Sequence, residues 1–155
     1  MNKVAFLIGS ESDKTIVEHS MPYFNYFGID AEIMVMSAHR NPIEVHKFAS
    51  TAKENGYVTL ICGAGMSAHL AGAVKANTIL PVIGVPLPGG MMDGLDSLLS
   101  TVNMPKGVPV ATTSVGKAGA INAAILSAEI IALNNEDMSL KLIKFKKNGS
   151  ALSGL

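Results

Sequence analysis

At 155 residues the chain is long enough for one domain with a sizeable core. It is 48% hydrophobic and only 15% charged, with mean hydropathy +0.35, zero formal net charge and a pI near 6.9. Zero net charge removes the electrostatic footprint of a nucleic-acid or acidic-membrane binder, and the low charge density points to burial beyond one protomer, as in an oligomer. No run approaches the roughly 18 uninterrupted apolar residues of a membrane span. Residues 1–8 lack the layout of a signal peptide. The single Cys62 allows no internal disulfide. The expected setting is the cytoplasm, away from membranes.

The first apolar run, "VAFLI" at 4–8, has strand length and no alternation, which suits a parallel strand covered on both faces. "GSESD" follows. Gly9 permits a tight turn, and the hydroxyls of Ser10 and Ser12 stand beside the free N–H groups of a following helix, where phosphate is favoured. The alternative is that Ser12 or Asp13 caps that helix, expected over 13–27 and closed by Gly28. The second strand, "AEIMVM" at 31–36, ends in "SAHRNP". Ser37, His39 and Arg40 suit either a solvent-facing turn or an anion site. In the second case Arg40 grips phosphate or carboxylate bidentately and His39 moves a proton near neutral pH. Pro42 fits the first turn of a helix over 42–55, and Gly56 marks its end.

The third strand, "VTLIC" at 58–62, runs into "GAGMSAHLAG" at 63–72. Gly63, Gly65 and Ala68 match the dinucleotide fingerprint, but that motif belongs after the first strand, with an acidic residue about 20 positions on. Here no acidic residue follows until Asp93. The glycines read instead as letting backbone N–H groups close on a small ligand. His69, at the start of a helix over 68–76, is a ligand contact or a cap. "LPVIGV" at 80–85 is the fourth strand, and "PLPGGMMDGLD" at 86–96 is a lid, a mobile connection or a subunit contact. A helix over 93–102, a strand in "VPVATTSV" at 108–115 and a helix over 117–133 complete the series.

Residues 136–147 carry Met138, Leu140, Leu142, Ile143 and Phe145 among lysines, the pattern of an amphipathic helix suited to a subunit contact; 148–155 read as a loose tail. The chain thus divides into a catalytic domain at 1–134 and a C-terminal helix and tail at 135–155. Alternating strands and helices predict a three-layer α/β/α sandwich with a parallel sheet and right-handed crossovers. Ligands of such sheets bind outside the carboxyl ends of the strands. Three loops at that end carry Ser, His, Arg or Gly, and their convergence implies a small, phosphorylated anionic ligand beneath one or two histidines.

The residues also carry a resemblance. "GSESD", "SAHRNP", "GAGMSAHLAG", "LPVIGVPL", "GLDSLLSTVNMPKGVPVAT" and "GKAGAINAA" are similar to the class I PurE family of purine biosynthesis, the N5-carboxyaminoimidazole ribonucleotide mutases, in register from about residue 3 to 133. The resemblance implies a flavodoxin-like fold and a homo-octamer with active sites at subunit contacts. It implies conversion of N5-carboxyaminoimidazole ribonucleotide to 4-carboxy-5-aminoimidazole ribonucleotide without metal or organic cofactor. By position it implies that His39 is the general acid/base and that Ser10, Asp13 and Arg40 hold the ribose phosphate, with Ser12 and Ser37 close by. It places the glycine-rich loop on Ala64 and Gly65 and a second histidine on His69.

Such chemistry matches these residue types. A carbamate on an exocyclic nitrogen loses CO2 once that nitrogen is protonated, and C4 of the released aminoimidazole is nucleophilic, like an enamine carbon. If the CO2 is held, C4 recaptures it and then sheds its proton, so one histidine can serve at both ends. Confinement is the protein's contribution, and an apolar Gly/Ala wall from "GAGMSA" suits it. The family reads GAGGAAHLPG where this chain has Met66, Ser67 and Ala71, and "PLPGGMMDG" replaces a valine-glutamine-serine stretch. "SAHR" rather than "SAHK" favours the mutases over the class II enzymes, which carboxylate aminoimidazole ribonucleotide directly with CO2. A direct carboxylase and a non-catalytic phosphosugar- or nucleotide-binding domain are the alternatives. His19 and His46 read as surface or interface residues, Cys62 as inert packing, and most of the nine methionines as core or interface filler.

Overall fold

The apolar runs become a single sheet because the three central ones are buried on both faces, leaving little solvent side for polar residues, while the two edge runs stay partly exposed. In a computed structural model describing residues 2–155, the strands are β1 (Lys3–Ile8), β2 (Asp30–Val35), β3 (Tyr57–Ala64), β4 (Val82–Pro86) and β5 (Ala111–Thr112). All pair in parallel in the order β2-β1-β3-β4-β5, the flavodoxin-like order. Side-chain alternation divides the core in two. Val4, Phe6 and Ile8 join Ile61, Ile83 and Val85 on one face, while Ala5 and Leu7 join Leu60, Cys62 and Val82 on the other.

The first face is covered by α1 (Lys14–Val17), α2 (Met21–Phe27), α6 (Lys117–Ala132) and α7 (Glu136–Lys147); the second by α3 (Pro42–Thr51), α4 (Leu70–Lys75) and α5 (Leu95–Val102). Ala120, Ala123, Ala124 and Ala128 let α6 lie close to the sheet, and Phe145 of α7 wedges edge-on against Phe27, ring centroids 5.5 Å apart. The α7 face built from Met138, Leu142 and Phe145 therefore belongs to this chain's own core, and Leu140 and Ile143 point outward.

Several elements are shorter than their sequence patterns. The helix expected over 13–27 is a chain of short pieces, with 3-10 turns at Glu11–Asp13 and Glu18–Ser20 around α1. Pro22 cannot donate to the preceding turn, so α2 begins anew there. Ser10, not Ser12 or Asp13, is the cap, its hydroxyl accepting the Ser12 N–H at 3.4 Å. Gly28 closes α2 at φ +71°, as the pattern implies. The fifth run gives a two-residue edge strand, because Pro109 cannot donate to a ladder. Residues 148–155 are held rather than loose: Asn148 Nδ2 donates to the carbonyls of Ala151 at 2.8 Å and Ser153 at 2.9 Å, and Leu152 packs against the first core.

Candidate active site

In this strand order the chain turns in opposite directions on leaving β1 and β3, and a crevice opens between their carboxyl ends. Backbone bonds carry the ladder to its rim: Gly9 N–H to the Gly63 carbonyl at 3.2 Å, Met36 N–H to Ile8 at 2.8 Å and Leu87 N–H to Ala64 at 2.9 Å. The loops after β1, β2, β3 and β4 therefore begin level with one another. They enclose a cavity of about 430 Å³ lined by Ser10, Ser12, Asp13, Ser37, His39, Arg40, Ala64, Gly65 and His69, every residue that the sequence nominated. Met66 borders it as well, together with Pro88 and Gly89 of the loop after β4.

The β1 loop presents two hydroxyls, Ser10 Oγ and Ser12 Oγ, 3.0 Å apart. Asp13 stands beside them, and partial burial pushes its carboxyl above the usual range, offset in part by a backbone hydrogen bond from Ser10. In the β2 loop the Arg40 N–H donates to Ser37 Oγ at 3.3 Å and the Asn41 N–H to the Ser37 carbonyl at 2.8 Å, a tight turn that sets the Arg40 side chain against the cavity. Arg40 is the only arginine of the chain and forms no ion pair among the described residues. An unpaired guanidinium beside three serine hydroxyls is an anion site by its donor set.

The histidines meet. His39 Nε2 lies 2.9 Å from His69 Nδ1, with the rings nearly perpendicular at 88°. One of these nitrogens carries the hydrogen and the other accepts it, so each ring dictates the tautomer of its neighbour. His69 occupies the N-cap position of α4, yet its side chain makes no capping bond; it is committed to His39 instead. His46 bonds Asn77 Oδ1 at 2.7 Å and His19 the Ile16 carbonyl at 3.2 Å, neither at the cavity. Burial pushes the Cys62 thiol far above its ordinary value, which leaves it unreactive. No group of three or more His, Cys, Asp or Glu side chains converges as metal ligands would among the described residues.

Sequence reasoning nominated Gly65 but not the contacts that hold the walls. Gly65 packs against the Leu87 and Pro88 carbonyls, where a Cβ would already stand at 3.6 Å from each. The stretch 86–96 is tied to α5 at two points: Asp96 Oδ2 accepts the Met91 N–H at 2.8 Å, and Ser97 Oγ donates to the Leu87 carbonyl at 2.8 Å. The signal for this was the polar spacing Asp96, Ser97, Ser100 and Thr101 among the leucines of one helix.

Residues 3–151 match the family model described as AIR carboxylase, and the chain belongs to that family. It is 42% identical over 145 residues to the N5-carboxyaminoimidazole ribonucleotide mutase of Escherichia coli, covering 94% of this chain and 86% of the relative. It is 46% identical to the enzyme of the same name from Bacillus subtilis, covering 94% and 90%. Among solved structures, Treponema denticola PurE superposes with a TM-score of 0.83 at 26% identity over 96% of this chain and 91% of that one.

Proposed function

We infer that this chain is an N5-carboxyaminoimidazole ribonucleotide mutase of purine biosynthesis, moving a carboxyl group from the exocyclic nitrogen of its substrate to C4. The observation that carries the reading is the convergence, in one cavity of a chain from this family, of a histidine pair with an unpaired arginine and a run of hydroxyls. Ser10, Ser12, Ser37 and Arg40 take the phosphate. Because α1 is only four residues long, its dipole adds little, and the hydroxyls and guanidinium supply most of the attraction. Asp13 accepts from the ribose hydroxyls. Ala64 and Gly65 lie under the imidazole, where their lack of bulk lets the ring sit on backbone.

His39 protonates the carbamate nitrogen, the N–C bond breaks with its electrons on that nitrogen, and CO2 is released into the cavity. C4 attacks the carbon of CO2, and His39 then removes the C4 proton to restore the aromatic ring. Atoms and charge balance: the histidine ends as it began and nothing is oxidised or reduced. His69, through its bond to His39, keeps the imidazole turned in the orientation that both transfers need. The walls contribute by retaining CO2, since recapture from a cavity is far faster than from dilute solution.

The test is to follow ultraviolet absorbance of the C4-carboxylated product from freshly made N5-carboxyaminoimidazole ribonucleotide without added bicarbonate. Protein-dependent formation is expected. His39→Asn should lower turnover about 10³-fold while still binding the ribonucleotide. Normal turnover in His39→Asn would remove it from the mechanism.

We also place the chain in a cytoplasmic homo-octamer, as the family resemblance implies, with residues 1–134 as the catalytic domain. The exposed Leu140 and Ile143 of α7 and the exposed apolar residues of α5 are the surfaces we assign to subunit contacts.

A further inference from the structure

We propose that Ser100, on α5, is a positioning residue for the histidine pair, acting through the backbone of residues 66–69. The proposal rests on the reading above that His39 performs the proton transfers. Ser100 does not line the active cavity. With His69 it lines a groove of about 480 Å³ shared with Gly72, Ala73, Leu99 and Met104, so any influence it has on the reacting atoms is indirect.

Its hydroxyl bridges two elements. Ser100 Oγ accepts the Ala68 N–H at 3.2 Å, lies 3.2 Å from the Met66 carbonyl, and is 2.5 Å from the Asp96 carbonyl one turn back in α5. A hydroxyl has a single proton, so the Met66 and Asp96 carbonyls compete for it, whereas acceptance from Ala68 is free of that competition. Ala68 is buried, and a buried N–H needs a partner; Ser100 is the partner that α5 supplies.

What the bridge holds is an unfavourable turn. Met66 sits at φ +51°, in the left-handed region that side chains other than glycine rarely adopt. The turn closes when the His69 N–H donates to the Ser67 carbonyl at 2.8 Å. His69 is the first residue past the bridge, and its Nδ1 is the atom that meets His39 Nε2. A continuous path therefore runs from Ser100 through Ala68 to His69 and on to His39. Without the hydroxyl, the Ala68 N–H loses its acceptor, Met66 relaxes toward negative φ, and the His69 ring leaves its place.

The experiment compares the full-length protein with Ser100→Ala and Ser100→Thr. Threonine keeps the oxygen, and the open groove beside position 100 has room for its methyl group. The chain has four histidines, so selective ¹⁵N labelling of their rings gives a readable spectrum without substrate. In Ser100→Ala the ring signals of His39 and His69 should shift while those of His19 and His46 stay. Turnover should fall about tenfold with KM changed less than about twofold, because Ser10, Asp13 and Arg40 sit on other loops. Ser100→Thr should restore both readouts. A Ser100→Ala spectrum with His39 and His69 unmoved would overturn the proposal. Since that spectrum needs no turnover, an inactive parent protein would sink the assigned reaction, while the ring signals would still decide whether Ser100 positions the pair.

Discussion

Asp13 shows what one residue costs at such a site. Its carboxyl is raised above the ordinary value by partial burial. A carboxylate whose folded value is raised binds more protons folded than unfolded over the interval between the two values. The stability it contributes is therefore complete below the ordinary carboxylate range and is lost as pH rises through the folded value. At neutral pH the charged Asp13 opposes folding, and the cavity tolerates it for the sake of a ligand hydroxyl. Asp13→Asn should thus melt at a slightly higher temperature than the parent at pH 7, with the difference vanishing near pH 3, and should bind the ribonucleotide more weakly. Calorimetry across pH alongside a binding titration checks both halves. A lower melting temperature at pH 7 together with undiminished affinity would refute this role for Asp13. The trade between local stability and function is a general one.

At the scale of elements, the close approach of α5 to β4 decides how the site's walls are held. Gly84 lies opposite α5, and a Cβ there would overlap Thr101 Cγ2 and reach Val110 Cγ1 at 3.0 Å. Gly84→Ala should cost about 1–3 kcal/mol by overpacking, or roughly 2–4 °C in Tm for each kcal/mol in a domain of this size. It should also cut turnover, because displacing α5 moves Ser97 and Ser100 away from the loops they tie. Adding Thr101→Ala should recover most of the melting temperature; no recovery in the double variant would show that the strain lies elsewhere. The strands and the nominated site residues were legible in the sequence because β1 to β4 are continuous apolar runs and because ligand chemistry sits at their ends in any sheet of this type. The α5 ties were not, since Ser100 meets Met66 and Ala68 across 34 and 32 positions, a pairing set by packing and not by local pattern. Pro22 and Pro109 explain why the first helix is broken and the fifth strand starts late: both sit within patterns that look continuous, and both remove a donor where the element needed one.

For the whole molecule, α5 is turned the wrong way for an isolated protomer. Ser97 and Thr101 face inward and are buried, while Leu95, Leu99 and Val102, spaced four and three apart, form an exposed apolar stripe. The inward face has to be small and hydroxylated, because Gly84 brings the sheet close and the Leu87 and Met66 carbonyls need donors. The leucines are left for solvent or for another subunit. Burying one such side chain is worth about 1.5–3 kcal/mol, and symmetry repeats the gain in every protomer, which agrees with a composition only 15% charged. Leu99 is 56% exposed in the protomer, so Leu99→Glu should leave the fold intact by circular dichroism. At a subunit contact the same change buries an unpaired carboxylate and should break the assembly into smaller species. Sedimentation velocity of the parent and of Leu99→Glu decides the matter: the parent should run as an octamer and the variant as a lighter particle. Identical sedimentation of the two would remove α5 from the contact, and a monomeric parent would remove the contact itself. The groove beside Leu99 is also bounded by His69 and Ser100. A neighbour seated on α5 would press on the path that reaches His39, so the lighter particle should also turn over more slowly than the parent at equal protomer concentration.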